Sequence, residues 1–271
     1  MMVATCKRCL LGYAILMATS VAIAAESSDA LEKLNREIVK SPEDPQPYGL
    51  RAQLHSTARR HAEAIADLDQ AIKLKPDDAQ LVEFRGSERL LAGRFDEAIS
   101  DFDQYLAKQP DQKPYHWKRG IALYYARRYD DGVKQFDIHQ TVNSADVENA
   151  VWRYLCMAKR DGVESARRKL LKVGPDLRVP MTQVYDLFAG RTATDVLAAA
   201  EAGKPSEDEL RVRLFYAHLY IALYLDARGD SAKAIEHLKL AVEKHLVDHY
   251  MGGIAKVHLA ELQNQDKRGT K

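Results

Sequence analysis

The chain has 271 residues, of which 46% are hydrophobic and 29% are charged, and its formal net charge is +1. Such a composition supports a buried core and excludes a chain that is disordered throughout. The near-neutral charge gives no electrostatic basis for binding nucleic acid, where a strongly basic face is expected. Because only Cys156 lies beyond the first ten residues, a disulfide scaffold is excluded as well.

The N-terminal segment has the pattern of a secretory signal. Two basic residues, Lys7 and Arg8, precede an apolar run over residues 10–25 that ends in Ala-Ile-Ala-Ala before a polar stretch. A basic start, an apolar stretch and small residues at the cleavage site are the three parts of a signal peptide. We predict cleavage after Ala24 or Ala25 and export to the periplasm or the medium, with an uncleaved anchor as the alternative. No cysteine follows the apolar run, so we expect no lipid anchor.

A 34-residue period runs through the rest of the chain. A small residue recurs at this interval, and a large apolar residue follows four positions later in all but one case, where Lys204 stands. A small residue on one helix lets its neighbour approach closely, and a large residue one turn later fills the adjacent gap. The pattern predicts repeated antiparallel helical hairpins. The small residues are Ala30, Ala64, Ala98, Gly132, Ala166, Ala200 and Ala234, and the large ones are Leu34, Leu68, Phe102, Phe136, Leu170 and Leu238.

The first helix of several predicted hairpins also carries a small residue, at Ala52, Gly86, Gly120 and Ala222. Glycine inside a helix costs about 1 kcal/mol relative to alanine, so two glycines in the same phase of the repeat indicate close packing that compensates.

The repeat resembles the tetratricopeptide-repeat (TPR) family. The resemblance implies an all-α fold, a right-handed α-α superhelix of TPR hairpins whose concave face is lined by the first helix of each repeat, and a role in binding proteins. The segment that matches the family pattern best contains Gly86, Gly93, Phe95, Ala98, Phe102 and Pro110.

The period and its interruptions predict a division of the chain. Tyr154 stands where a small residue belongs, so the fourth repeat is degenerate, and the segment after it forms an irregular helical hairpin in the middle of the stack. The predicted segments are a signal peptide (1–25), an N-terminal helix (26–44), three TPRs (45–78, 79–112 and 113–146), a degenerate TPR (147–176), the irregular hairpin (181–203), a TPR-like repeat (208–246) and a C-terminal capping helix (250–264).

This layout resembles one family more closely, the NlpI-type periplasmic TPR lipoproteins. The segments that carry the resemblance are residues 119–125, 152–155 and 184–190. The resemblance implies protein partners such as cell-wall (peptidoglycan) hydrolases or a periplasmic protease. The chain departs from that family because it lacks the lipid-attachment cysteine.

Helical spacing predicts a partner-binding groove that changes from polar to aromatic along its length. Its aromatic part lies on the helix that contains Trp117, and two interpretations of that part remain open. Either the segment after Pro180 folds back and covers it, or it forms an open pocket for a partner. The predicted groove residues are Gln53, Glu83, Ser87, Trp117, Ile121, Tyr124, Tyr125 and Leu155.

No pattern typical of catalysis or of a bound cofactor is present. His245 and His249 have the spacing of two metal ligands on one helical face, but the glutamate of a metalloprotease motif is missing, so we predict no metal.

Paired charges recur on the predicted helices. The acidic pairs Asp67/Asp69 and Asp101/Asp103 are interpreted as solvated faces, because residues two apart do not face each other. The basic pairs that begin at Arg59 and at Arg127 are interpreted as helix-end charges.

The sequence therefore predicts an exported protein-interaction scaffold, not an enzyme, with homodimerisation left open. The alternatives are a structural subunit of an envelope assembly complex and, less favoured, a metal-dependent hydrolase.

Overall fold

The computed structural model describes residues 28–269, and every regular element among them is a helix. The prediction of an all-α fold built from helical hairpins is confirmed. The predicted signal peptide at residues 1–25 lies outside the described residues. Within residues 28–269, the longest helices are too polar to cross a membrane.

The described helices fall into two compact units that divide after Glu88. The first contains α1 (28–40), α2 (Pro45–Thr57), α3 (His61–Leu74) and most of α4 (Ala79–Leu91). The second contains α5 (Phe95–Lys108), a 3₁₀ helix (Pro110–Tyr115), α6 (Trp117–Tyr125), α7 (Tyr129–Gln140), α8 (Val147–Asp161), α9 (Val163–Arg168), α10 (Met181–Ala189), α11 (Ala193–Glu201), α12 (Glu207–Ala227), α13 (Ser231–Lys239) and α14 (Tyr250–Gly269).

The small residues of the repeat lie at the closest helix contacts, as the period predicts. From Ala64 to Ala234 every one of them is buried. At Gly120 in α6, a Cβ atom would come within 2.5 Å of the Phe136 ring in α7. At Gly132 in α7, it would come within 2.7 Å of the Cys156 sulfur in α8. Neighbouring helices approach this closely only because a side chain is missing.

A ladder of ion pairs follows the same period, and the sequence analysis missed it. Arginines recur every 34 residues on first helices, and each pairs with an aspartate 16 positions earlier on the preceding second helix. In the first pair, which Arg51 forms, Asn35 stands in place of the aspartate. The pairs are Arg51–Asn35 (2.6 Å), Arg85–Asp69 (2.8 Å), Arg119–Asp103 (2.6 Å) and Arg153–Asp137 (2.6 Å).

The other aspartate of each acidic pair is buried, so their interpretation as solvated faces was wrong. Asp67 receives two hydrogen bonds from the Arg51 guanidinium, and Asp101 lies 2.7 Å from Arg89. In each case the arginine is on the first helix of the hairpin and the aspartate on the second. Residues two apart do not face each other, but both can face other helices.

The turns within the first three predicted repeats and within the C-terminal one share a left-handed residue at the repeat period. Gly93 and Gly229 have φ of 76° and 86°, and Arg59 and Arg127 adopt the same region with φ of 58° and 60°. These two arginines are thus the residues that reverse the chain between helices, a role that the interpretation as helix-end charges did not include.

The irregular middle of the chain explains why a tyrosine replaces a small residue at position 154. The second helix of this hairpin, α9, has only six residues. The short helix α10 packs on α8, and its Phe188 meets the buried Tyr154 ring edge-on at 5.0 Å. Gly190, with φ of 116°, ends α10.

The C-terminal helix α14 approaches its neighbours through two glycines. A Cβ at Gly252 would lie 2.2 Å from the Val247 carbonyl oxygen, and one at Gly253 would lie 2.7 Å from the Leu91 side chain. A side chain at Gly253 would hold α14 away from the end of α4, and one at Gly252 would collide with the loop that precedes α14.

Candidate partner-binding site

The predicted groove residues are distributed over both units. Gln53 is exposed on α2, while Glu83 is half-buried and Ser87 buried on α4, where the Ser87 hydroxyl donates to Glu83 at 3.2 Å. On α8, Leu155 is fully buried in the core of the second unit. Binding by these four residues stays a prediction.

The aromatic face of α6 lies at the centre of the second unit. Ile121 and Tyr124 are buried, whereas Trp117 and Tyr125 are half-buried. The Tyr125 ring stacks on Phe95 of α5, with ring centroids 5.0 Å apart. The structure thus brings together the four aromatic and aliphatic groove residues of α6.

Most of this face is covered, but by a different element from the one the sequence suggested. Tyr250 of α14 meets Trp117 edge-on at 5.4 Å, and His258 of α14 lies 3.2 Å from the Tyr125 hydroxyl. The segment after Pro180 packs on α8 and α12 instead. Of the two interpretations left open, the one in which this segment is the cover was therefore wrong, because α14 contacts Trp117 and Tyr125 in its place.

A buried polar cluster joins α14 to the helices beneath it. Asp226 of α12 lies 3.0 Å from the Lys159 ammonium, 3.4 Å from the Tyr124 hydroxyl and 3.6 Å from Nε2 of His258. Burial lowers the pKa of His258 to about 4, although the Asp226 carboxylate opposes the shift. The imidazole is therefore neutral at pH 7.

Beside α14, a cavity of about 190 Å³ remains open, and we call it the tryptophan cavity. Both tryptophans of the chain line it. Its apolar wall is formed by Trp117, Ile121, Phe136, Trp152 and Met251, and its polar wall by Asp146, Glu148 and Asn149.

The polar wall is the first turn of α8. Asp146 caps the helix by accepting the Glu148 backbone N–H at 2.9 Å, and its other oxygen lies 3.3 Å from Nε2 of His139. Burial alone would raise the pKa of Asp146, but the hydrogen bonds from His139 and the Asn149 backbone lower it. Asp146 is thus ionised at neutral pH.

A loop residue, Arg178, bridges the carboxylates at the mouth of the cavity. Its guanidinium lies 2.6 Å from Glu148, 2.7 Å from Asp176 and 3.7 Å from Asp146. The second Glu148 oxygen accepts the Tyr220 hydroxyl. The mouth therefore already holds one cationic group of the chain itself.

Two polar atoms of the wall residues have no hydrogen-bond partner among the described residues. They are Oδ1 of Asn149 and Nε1 of Trp152, on side chains that are 97% and 98% buried. Both atoms have almost no accessible surface, so neither presents itself to a molecule in the cavity. Sequence reasoning missed Asp146, Glu148 and Asn149, although Asp146 has the signature of a helix N-cap.

The two histidines that the sequence paired have different ring partners in the structure. The ring of His245 stacks on His218, with centroids 5.6 Å apart, while His249 stacks on Tyr216 and lies 3.3 Å from its hydroxyl. The segment between them is not helical, so their spacing does not place them on one face. Nowhere in residues 28–269 do three or more His, Cys, Asp or Glu side chains form a group that suits a metal ion.

Helical hairpins with small residues at a fixed interval define a helical-repeat fold. The tryptophan cavity lies among α6, α7, α8 and α14 of that fold. The family model for the tetratricopeptide repeat matches residues 22–79 and 50–114. These residues therefore match the tetratricopeptide repeat, and the hairpins of the second unit beyond residue 114 lie outside the match.

One solved structure supports the fold with a TM-score above 0.5, and two others are similar at lower scores. A tetratricopeptide repeat protein from Parabacteroides merdae is similar with a TM-score of 0.55 and 16% identity, over 92% of this chain and 97% of that one. The C-terminal part of a TPR repeat-containing protein from Cytophaga hutchinsonii gives a TM-score of 0.48 and 16% identity, over 88% and 98%. YrrB, described as a TPR protein with an unusual peptide-binding site, gives 0.43 and 18%, over 83% and 98%. A comparison with curated proteins finds no match.

Proposed function

We propose that this chain is an exported adaptor that binds a protein partner at the tryptophan cavity. TPR proteins generally act as protein-interaction scaffolds. The observation that carries the choice of site is a half-buried Trp117 that lines a cavity with an aromatic and an acidic wall. Tryptophan is enriched among the residues that dominate binding energy, and such residues cluster in pockets.

Two sequence features support the export of this chain and the proposed class of partner. The basic and apolar pattern of residues 1–25 supports export. The resemblance to the NlpI-type lipoproteins supports peptidoglycan hydrolases, or a periplasmic protease that degrades them, as partners. In this proposal the adaptor docks the enzyme and controls its access or turnover, and it performs no chemistry itself.

Replacing Trp117 by alanine is expected to reduce the recovery of partners at least tenfold, since truncating a central tryptophan typically costs about 2 kcal/mol or more of binding energy. The measurement is affinity capture of the tagged protein from crosslinked cell envelopes, with partners identified by mass spectrometry. Leu50→Ala is the matched control, because Leu50 is an exposed apolar residue of the first unit.

Unchanged recovery with Trp117→Ala, in a variant whose helical circular dichroism is intact, would contradict the proposal. The identity of the captured proteins separates the adaptor from its alternative. Cell-wall hydrolases or a protease support the adaptor, whereas only components of an envelope assembly complex would indicate a structural subunit.

A further inference from the structure

We infer that the tryptophan cavity binds the side chain of a lysine presented by the protein partner. The inference rests on the proposed function and specifies which chemistry the same site recognises. It follows from the size of the cavity, the sign of the charge of its polar wall and the tryptophans that line it.

The volume and the apolar wall fit one long aliphatic side chain. An apolar cavity of about 150 Å³ is known to hold a benzene molecule, so about 190 Å³ accommodates the four-carbon stem of lysine with its ammonium. Ile121, Phe136 and Met251 provide the apolar surface for that stem. Lysine commonly buries its stem in this way while its charged end stays at a polar edge.

The charge at the mouth favours a cation. The charged residues of the cavity wall are both acidic, Asp146 and Glu148, and the buried carboxylate of Asp176 lies beside them. One guanidinium, that of Arg178, is shared among these three carboxylates. His139 also faces Asp146, and its hydrogen bond to that carboxylate raises the pKa of His139, so it offsets a further part of the negative charge below neutral pH.

The aromatic part of the wall also favours an ammonium. Trp117 and Trp152 line the cavity, and the face of an aromatic ring attracts a cation. Tryptophan is the strongest of the aromatic side chains in this respect. An ammonium also offers three hydrogen-bond donors, and the acidic side chains of the wall are acceptors.

Arg178 shows that these carboxylates accept a cation from outside α8. Its guanidinium is provided by the loop that precedes α10, and its side chain remains half exposed. A partner lysine would approach the same carboxylates from the cavity side, because Asp146 and Glu148 both line the cavity.

The test uses two short peptides that differ only in the charge. The probes are acetyl-Gly-Lys-Gly-amide and acetyl-Gly-norleucine-Gly-amide, which share the aliphatic stem. Because the two tryptophans of the chain both line the cavity, the two indole N–H resonances of the ¹⁵N-labelled full chain report on this site alone. We expect the lysine peptide to shift both resonances saturably with a Kd on the order of 1 mM, and the norleucine peptide to bind at least tenfold more weakly.

Equal or tighter binding of the norleucine peptide would overturn the inference, because the cavity would then select an apolar side chain. No shift with either peptide would overturn it as well, since the cavity would then bind neither side chain. Glu148→Gln should weaken lysine-peptide binding at least fivefold, and Glu201→Gln, an exposed residue at the end of α11, should leave it unchanged.

Failure of this inference can be told apart from failure of the proposed function. If Trp117→Ala abolishes partner capture but the lysine peptide does not bind, the adaptor stands and the lysine chemistry is wrong. If the lysine peptide binds but Trp117→Ala leaves capture unchanged, the cavity has its ligand and the proposed docking role is wrong.

Discussion

Replacing Gly120 by alanine is expected to destabilise the protein by about 2 kcal/mol, although alanine is the better helix former by about 1 kcal/mol. The added Cβ would lie 2.5, 2.7 and 2.9 Å from three atoms of the Phe136 ring. That ring is fully buried and cannot move aside without displacing its neighbours. Overpacking of this kind typically costs about 1–3 kcal/mol. Urea unfolding followed by circular dichroism measures the difference.

The matched control is the same change at Gly49, which also lies inside a helix, α2. There the nearest atom to an added Cβ is 3.6 Å away, an ordinary contact with Leu81. Gly49→Ala should therefore stabilise the protein, by up to about 1 kcal/mol. If both substitutions stabilise it, the close approach of α6 and α7 is not what requires glycine at position 120.

Acid is expected to weaken the attachment of α14, and His258 is expected to account for about 3 kcal/mol of the effect. Burial lowers the pKa of His258 from 6.5 to about 4, and each unit corresponds to about 1.4 kcal/mol. Because the folded protein binds the proton less readily than the unfolded chain, this contribution is fully present above about pH 6.5. It is lost progressively as the pH falls from 6.5 towards 4.

The measurement is the free energy of unfolding as a function of pH for the native protein and for His258→Gln. The variant should lose about 3 kcal/mol less between pH 6.5 and 4, whatever its stability at neutral pH. The control is Tyr125→Phe, which removes the hydroxyl partner 3.2 Å from the imidazole but keeps the titrating group. The control should retain the slope, and an unchanged slope in His258→Gln would show that the histidine is not buried in neutral form.

The hairpin fold was predictable because its determinants are local and repeat. Positions such as Ala64 and Ala98 can be recognised from their spacing alone, since the two helices of each hairpin pack through a small residue at the same position. The ion-pair ladder was equally accessible, because Arg51, Arg85 and Arg119 recur at the same interval. It was missed because the aspartates were considered along one helix and not across two.

The candidate site was predictable only in part. Trp117 and Ile121 could be assigned to a groove by helical spacing, but the identity of the cover could not. Whether α14 or the segment after Pro180 lies on α6 depends on contacts far apart in sequence, such as that between Gly253 and Leu91. The unpaired Asn149 likewise becomes visible only when the partners of every buried polar atom are known.

Site-specific photocrosslinking tests the central claim, that the partner docks beside the tryptophan cavity. A benzophenone amino acid replaces Tyr115, an exposed aromatic residue two positions before Trp117, and, in a second strain, Leu50 of the first unit. The account predicts a covalent adduct with the captured partner from position 115, lost when Trp117 is also replaced by alanine, and none from position 50. An adduct that forms only from position 50, or one from position 115 that survives Trp117→Ala undiminished, would contradict it.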